Sequence, residues 1–507
     1  MPKALRRYLY FTATITGAAI MVIEILGAKL LSPYMGTSHF VWTAQIAVTL
    51  VALACGYYAG GRVADKRQRL GLLYWAILAA AAYCALSIFI IEPVAYWALD
   101  LNLAAGSLLA STVLFFVPLS LLAMTGPFLV RMITSSVLNV GGNVGRLTAL
   151  GTLGSFAGTV FVGYAVLPFL PNSTTLYITS IALGLISTGY FLFFQRDGAP
   201  PSALALVALA AAGALALAAR EPRFERMIER FTGNSHFGKL QVLESRDGSI
   251  RYYLNDNLVQ NTYDPRSRQS ASLFTHMLSG MAEAYVTNIQ SVLCVGMGIG
   301  IVPMHFASRG AQVDVVEINP AVAPLARKWF DFDASRVNLV IDDGRHFLNS
   351  CRKSYDVVVL DAFLGDSSPS HLMTREAFSA VKRALRPGGA IVINMFGEVE
   401  PGRDFFTASL NKTLSSVFKG VRMHSTGDGA VFFTAMDVPN PAFANRPPTE
   451  QAHPAVRSEF ERTMSSVVST DPNSGNVLTD DYNPVEFYDA RNREQTRRRL
   501  ALAFKSL

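Results

Sequence analysis

Three glycines alternate in VGMGIG, at Gly296, Gly298 and Gly300. Such a run lets a strand turn tightly into a helix and lets a ligand come close to the backbone. About 20 residues further on stands Glu317, where a carboxylate can accept hydrogen bonds from ribose hydroxyls. Asp343 and Gly344 follow in VIDDG, and Asp343 is placed to reach an adenine amino group. Asp361 ends YDVVVLD and is the candidate proton acceptor. There is no G-x-x-x-x-G-K-[ST] phosphate loop in this stretch. Several acids and few bases suit a neutral or cationic nucleoside better than a pyrophosphate. Each acid could instead cap a helix, Asp342 above all.

The elements that must position these residues are legible around them. SVLCVGMGIG, VDVVEINP, VIDDG and YDVVVLD each contain a short apolar, β-branched run that stops at a glycine or a carboxylate. Segments of helical length separate them. This alternation predicts a parallel sheet with crossover helices, an α/β Rossmann-like domain. In such sheets ligands bind beyond the carboxyl ends of the strands, where these glycines and acids fall. KLQVLES and SIRYYLN, with turns at Arg246–Gly248 and Asn255–Asn257, predict a small β-region in front of the sheet.

VGMGIG, VEINP, IDDGRHF and YDVVVLDAF resemble the nucleoside-binding motifs of spermidine synthases, the polyamine aminopropyltransferases of the class I methyltransferase fold. The resemblance runs from about Asn234 to Met436. The hydrophobic N-terminal half and LTDDYNPVEF resemble the membrane-bound, fused transporter/spermidine synthase-like members. The resemblance implies decarboxylated S-adenosylmethionine or S-adenosylmethionine as co-substrate, held by Gly296, Gly298, Gly300, Glu317, Asp343 and Gly344. It implies an amine acceptor, Asp361 as base, and no metal. Gln260 and Asp264 fall where the family carries a related loop. Gln260 and Asp366 are the expected substrate-binding residues, and His371 lies in the same closing loop as Asp366. The chain also departs from the pattern. Ile299 stands where soluble spermidine synthases carry an Asp, Phe274, Thr275 and His276 replace their Tyr-His-Glu, and Leu364 replaces a second Asp. These exchanges remove ion pairs that a desolvated dicationic amine needs. They suit a hydrophobic or membrane-associated acceptor better than putrescine.

Composition separates two halves. The chain is 51% hydrophobic and 16% charged, and the apolar excess lies before residue 220, which predicts a membrane half joined to a soluble half. Apolar runs of spanning length occur near Tyr8–Leu31, Phe40–Gly60, Leu72–Ile91, Ala104–Ala123, Leu147–Leu170, Leu176–Phe194 and Ala203–Ala219. The expected domains are a multi-pass region of about seven helices over 1–220, a catalytic domain over 234–436, and a Pro-rich link with a basic tail over 437–507. The net charge of +7 sits in loops and the tail, which indicates membrane topology and lipid contact rather than nucleic-acid binding. Lys3, Arg6, Arg7, Arg62, Lys66, Arg67, Arg69, Arg131 and Arg146 place the N-terminus in the cytoplasm. Seven crossings would then put the catalytic half outside, whereas Arg220, Arg223, Arg226 and Arg230 argue for the cytoplasmic face of the inner membrane. Glu24 lies within the first apolar run, where a carboxylate marks a pathway or a buried partner. Gly154 and Gly158 predict close helix packing. Cys55, Cys84, Cys294 and Cys351 suggest neither zinc nor a disulfide framework.

The leading expectation is a membrane-anchored aminopropyltransferase-like enzyme, acting on a small-molecule amine or a membrane-associated acceptor; a homo-oligomer is compatible with it. Two alternatives stay open: an S-adenosylmethionine-dependent methyltransferase of a membrane-associated substrate, and a nucleoside-sensing regulator of a transport half.

Overall fold

The computed structural model describes residues 1–36, 39–134, 140–167, 169–195, 227–363, 369–471 and 473–485. The chain forms two compact units, Met1–Arg223 and Phe224–Leu507.

Among the described residues the first unit is helical. Six helices are long and apolar enough to cross a membrane: α1 (Lys3–Met35), α2 (His39–Lys66), α3 (Leu70–Ala98), α4 (Leu103–Ile133), α5 (Val140–Val166) and α6 (Asn172–Phe193). The close packing expected at Gly154 and Gly158 is present. A Cβ at Gly154 would stand 2.0 Å from the Thr14 carbonyl oxygen, and one at Gly158 would stand 2.9 Å from the Ala18 Cα. The backbones of α1 and α5 therefore touch, as small residues permit where apolar area alone gives little drive to associate. Glu24 is half-buried on α1. One turn further along, Gly27 lies against the side chain of Gln45 from α2. The seventh apolar run, Ala203–Ala219, and the basic tail from 489 lie outside the described residues, as do Arg220, Arg223 and Arg226.

The second unit opens on an antiparallel sheet, β1 (Met227–Ser235), β2 (Gly238–Ser245), β3 (Arg251–Asn255), β4 (Leu258–Asp264) and β5 (Gln269–Ser270). Asp256 and Asn257 both have positive φ, as a two-residue hairpin turn between right-twisted strands requires. This sheet begins upstream of Asn234, so the β-region is larger than the sequence indicated.

Helix α7 (Leu273–Tyr285) leads into an eight-stranded sheet. Its parallel part contains β6 (Ser291–Val295), α8 (Ile301–Ser308), β7 (Gln312–Glu317), α9 (Val322–Trp329), β8 (Asn338–Ile341), α10 (Gly344–Ser350), β9 (Tyr355–Leu360), α11 (Arg375–Ala384) and β10 (Leu385–Phe396). After α12 (Phe405–Ser415), strands β11 (Gly420–His424), β12 (Ala430–Met436) and β13 (Val467–Val468) complete it antiparallel. The order is β13-β11-β12-β10-β9-β6-β7-β8. β6 pairs with β7 on one side and β9 on the other, both parallel. The chain thus winds outward in both directions from β6, and a crevice opens at that reversal. β6 is buried throughout, as a strand covered on both faces must be.

Residues after Met436 do not behave as a free link. Val467 and Val468 pair with β11, and Phe460, from α13 (Arg457–Ser465), is 1% exposed beside α7. Leu478 and Val485 sit in the core on the other face of the sheet. The prolines forbid long regular structure here, but the apolar anchors between them fasten the segment to the sheet.

Candidate active site

The crevice is built where four strands end. β6 leads into the turn Gly296–Gly300, β7 ends at Glu317, β8 runs into Asp342 and Asp343, and β9 delivers Asp361. Phe237, Tyr253, Gln260 and Asn261 from the β1–β5 sheet close it over, with Phe274 from α7. Of the residues singled out from sequence, Gly296, Gly298, Glu317, Asp343, Gly344, Asp361 and Gln260 line this one cleft, and His371 joins them. Gly300 does not; it packs on Phe332 and borders a separate cavity. Asp366 lies outside the described residues. Asp264 holds the turn after β4, accepting from the Arg266 backbone at 2.8 Å and facing His453 at 3.3 Å.

The glycine turn has little freedom. Gly296 has φ +93°, and a Cβ there would stand 2.3 Å from the Asp361 carbonyl oxygen. The Gly296 N–H donates to Val316 O at 2.9 Å, and the Asp361 N–H donates to Val295 O at 3.0 Å. The ladders on both sides of β6 thus run directly into the site. Glu317 fixes the turn from its flank. One carboxylate oxygen accepts from the Met297 N–H at 3.0 Å and the other from the Asn319 N–H at 2.8 Å. Burial raises its pKa, and these backbone bonds oppose the rise.

Asp343 is the N-cap of α10. Its Oδ1 accepts from the Arg345 and His346 N–H groups at 2.8 and 3.0 Å, while Oδ2 faces His371 Nε2 at 3.1 Å. Burial raises its pKa, but the His346 backbone, His371 and the Arg345 backbone outweigh this and the net shift is downward. Asp342 accepts from the Asp343 N–H at 2.8 Å and pairs with His346 at 2.7 Å. The helix-capping role weighed for the acids is thus made by Asp343. Asp480, in the LTDDYNP stretch, braces the same helix. It takes Arg345 at 2.8 Å and the Thr374 hydroxyl at 2.6 Å.

Asp361 differs from these acids. Burial pushes its carboxyl from 3.8 up to about 6. The opposing contribution comes from Asn394, whose Nδ2 donates to Asp361 Oδ1 at 3.0 Å. Asn394 comes from β10 and was not anticipated, although a single amide in the apolar run IVINMF is a visible signal. Phe363 and Phe396 line the same cleft, their rings edge-to-face at 5.3 Å; neither was anticipated. Ile299 is 1% exposed and lies in the core behind the turn. Of the Phe274–His276 stretch, only Phe274 lines the cleft.

Comparison with known proteins agrees with this geometry. Residues 272–426 match the spermine/spermidine synthase domain. A protein of Bifidobacterium longum named "Probable polyamine aminopropyl transferase" is 29% identical over 293 residues, 50% of this chain and 61% of that one. The N-terminal histidine N-methyltransferase of Emericella nidulans is 33% identical over 138 residues, 26% of this chain and 24% of that one. The polyamine aminopropyltransferase of Vibrio vulnificus is 35% identical over 113 residues, 21% of this chain and 38% of that one. The chain therefore spans less than two thirds of each of these relatives. With crevice, turn and matched residues in one place, the C-terminal part of this chain carries a spermidine synthase domain.

Proposed function

We propose that the chain is a membrane-anchored transferase that moves an aminopropyl-type group from an adenosyl sulfonium donor to an amine, with Asp361 as the base. The observation that carries this is the position of Asp361, against the glycine turn, with its carboxyl held near 6. A general base works best when its pKa lies near the operating pH. The domain match and the aminopropyltransferase relatives support the donor class.

The residues fit a nucleoside donor. A Cβ at Gly298 would stand 3.2 Å from the Asn261 side-chain oxygen, so a glycine is what lets the turn lie this close to the opposite wall of the cleft. Each Glu317 oxygen has a lone pair beyond its backbone bond, available to ribose hydroxyls. In the transfer, the amine nitrogen forms a bond to the donor's sulfonium-bound carbon as that carbon–sulfur bond breaks. The electron pair leaves on sulfur as a neutral thioether, and the amine's proton passes to Asp361. The protein's part is to align acceptor and donor and to receive that proton, and alignment alone removes much of such a barrier. The six apolar helices support anchoring, and the basic loops support a cytoplasmic catalytic unit.

A second reading, methyl transfer from S-adenosylmethionine, is favoured by the likeness to the Emericella N-methyltransferase. Calorimetry on the full chain in detergent separates the two. Tighter binding of decarboxylated S-adenosylmethionine than of S-adenosylmethionine is the expected result. The reverse order would move the assignment to methyl transfer, and binding of neither would remove it.

A further inference from the structure

The stretch LTDDYNPVEF takes no part in the transfer chemistry, yet it holds one wall of the cleft. Its middle is a turn closed on itself. The Thr479 N–H donates to Tyr482 O at 3.0 Å, and the Tyr482 N–H donates to Thr479 Oγ1 at 3.0 Å. Leu478 and Val485, on either side of the turn, are buried in the core. The Leu478 N–H also donates to the buried Thr413 hydroxyl at 2.9 Å. The turn is thereby a fixed point, and bonds run from it to the segment that returns from β9 to α11. Asn483 Nδ2 donates to Ser370 O at 3.0 Å, and Leu478 O accepts from the Arg375 N–H at 2.8 Å. Asp480 accepts from the Thr374 hydroxyl at 2.6 Å and from Arg345 Nη2 at 2.8 Å. Arg345 Nη1 donates to His371 O at 3.1 Å and to Thr374 Oγ1 at 3.0 Å. His371 Nε2 then meets Asp343 Oδ2 at 3.1 Å. Asp343, Pro369, His371 and Leu372 line the cleft, and Asp480 reaches them through Arg345.

We propose that Asp480 is a positioning residue of the donor site: by holding Arg345, and through it His371, it sets Asp343 to receive the 6-amino group of the donor's adenine. This rests on the donor reading above and deepens it. Asp343 Oδ1 already accepts from two N–H groups of α10. Acceptor capacity for a ligand therefore lies on Oδ2, beside His371. Hydrogen bonds between arginine and a carboxylate are stronger than neutral ones, and a contact group is held only as precisely as the side chains behind it. Without the Asp480 charge, Arg345 loses the anion that aims it. The His371 backbone loses that support, and Oδ2 is no longer held in one direction.

The test measures binding of methylthioadenosine and methylthioinosine to the purified full chain in detergent, by calorimetry. The two differ at the 6-position, where the oxo group of inosine accepts and the amino group of adenine donates. The parent should prefer methylthioadenosine by about tenfold or more. Asp480→Asn, close to the parent in size, should narrow that ratio by at least about threefold, and Arg345→Gln should do the same, with thermal unfolding as the check on folding. A loss of packing alone would weaken both ligands together and leave the ratio. Should Asp480→Asn fail to fold, Asn483→Ala, which removes the bond to Ser370 and leaves the α10 cap in place, reads the same ratio. A ratio unchanged in the folded variants overturns the inference and leaves the transfer reading standing. A parent that binds both nucleosides equally overturns the adenine contact and the inference with it. A parent that binds neither overturns the donor reading itself.

Discussion

Replacing Asp361 by Asn keeps the side chain's size and an oxygen for the bond from Asn394, but removes the proton acceptor. Loss of a positioned carboxylate base lowers kcat by about 10²–10⁴-fold, or about 3–5 kcal/mol of barrier. Stability should move the other way. Burial raises the carboxyl from 3.8 to about 6 in the folded chain, so between those values the folded state binds the more protons. Stability from this group is present below a pH of about 4 and is lost as pH rises through about 6. The two-unit shift corresponds to at most about 3 kcal/mol at about 1.4 kcal/mol per unit, and to less because the cleft is partly open to water. Asn carries no such cost. At about pH 8 the variant should therefore unfold at a higher temperature than the parent, and at about pH 4.5 the two should converge. Thermal unfolding of the full chain in detergent at both pH values, with methylthioadenosine release at the higher one, reads both effects. The parent's kcat/KM should rise with pH through about 6, and the variant's should lack that rise. A kcat within about threefold of the parent would refute the base assignment. A stability difference that does not change with pH would refute the assigned cause of the raised pKa.

Two further substitutions address the frame of the site. Glu317→Gln leaves one of the buried Met297 and Asn319 N–H groups facing an amide donor, at about 1–3 kcal/mol; donor affinity by calorimetry should fall at least about tenfold. Phe460→Ala empties a buried position between α13 and α7, at about 3–5 kcal/mol; limited proteolysis should then cut the segment after Met436 well before the parallel sheet.

The parts of the site that could be read from sequence are those where one residue type does one job at a strand end. Gly296, Glu317 and Asp361 each close a β-branched run, and the structure gathers them at the crevice beside β6. Asp343 was legible as a member of the site, but its cap and its contact with His371 were not, because both depend on where α10 begins and where the loop after β9 returns. Asn394 and Phe396 could not be placed, since their roles come from the pairing of β10 with β9, a contact between runs far apart in sequence. The segment after Met436 reads as a linker because proline count reports the absence of regular structure and says nothing of burial. Phe460, Leu478 and Val485 carry the anchoring, and they are scattered without helical or strand period.

The edges of the eight-stranded sheet have a consequence for self-association. At one edge β13 offers two residues, and at the other β8 offers four. An exposed strand edge is a template for another chain only when it is long enough to form a ladder. Through either edge a second copy could gain few main-chain bonds. In the smaller sheet, the longer outer strand β1 is broken by a bulge between Glu229 and Phe231, which twists an edge away from continued pairing. Among the described residues, strand pairing between copies of this unit therefore has little to build on, and the affinity of any self-association would answer to side-chain substitutions rather than to strand complementarity.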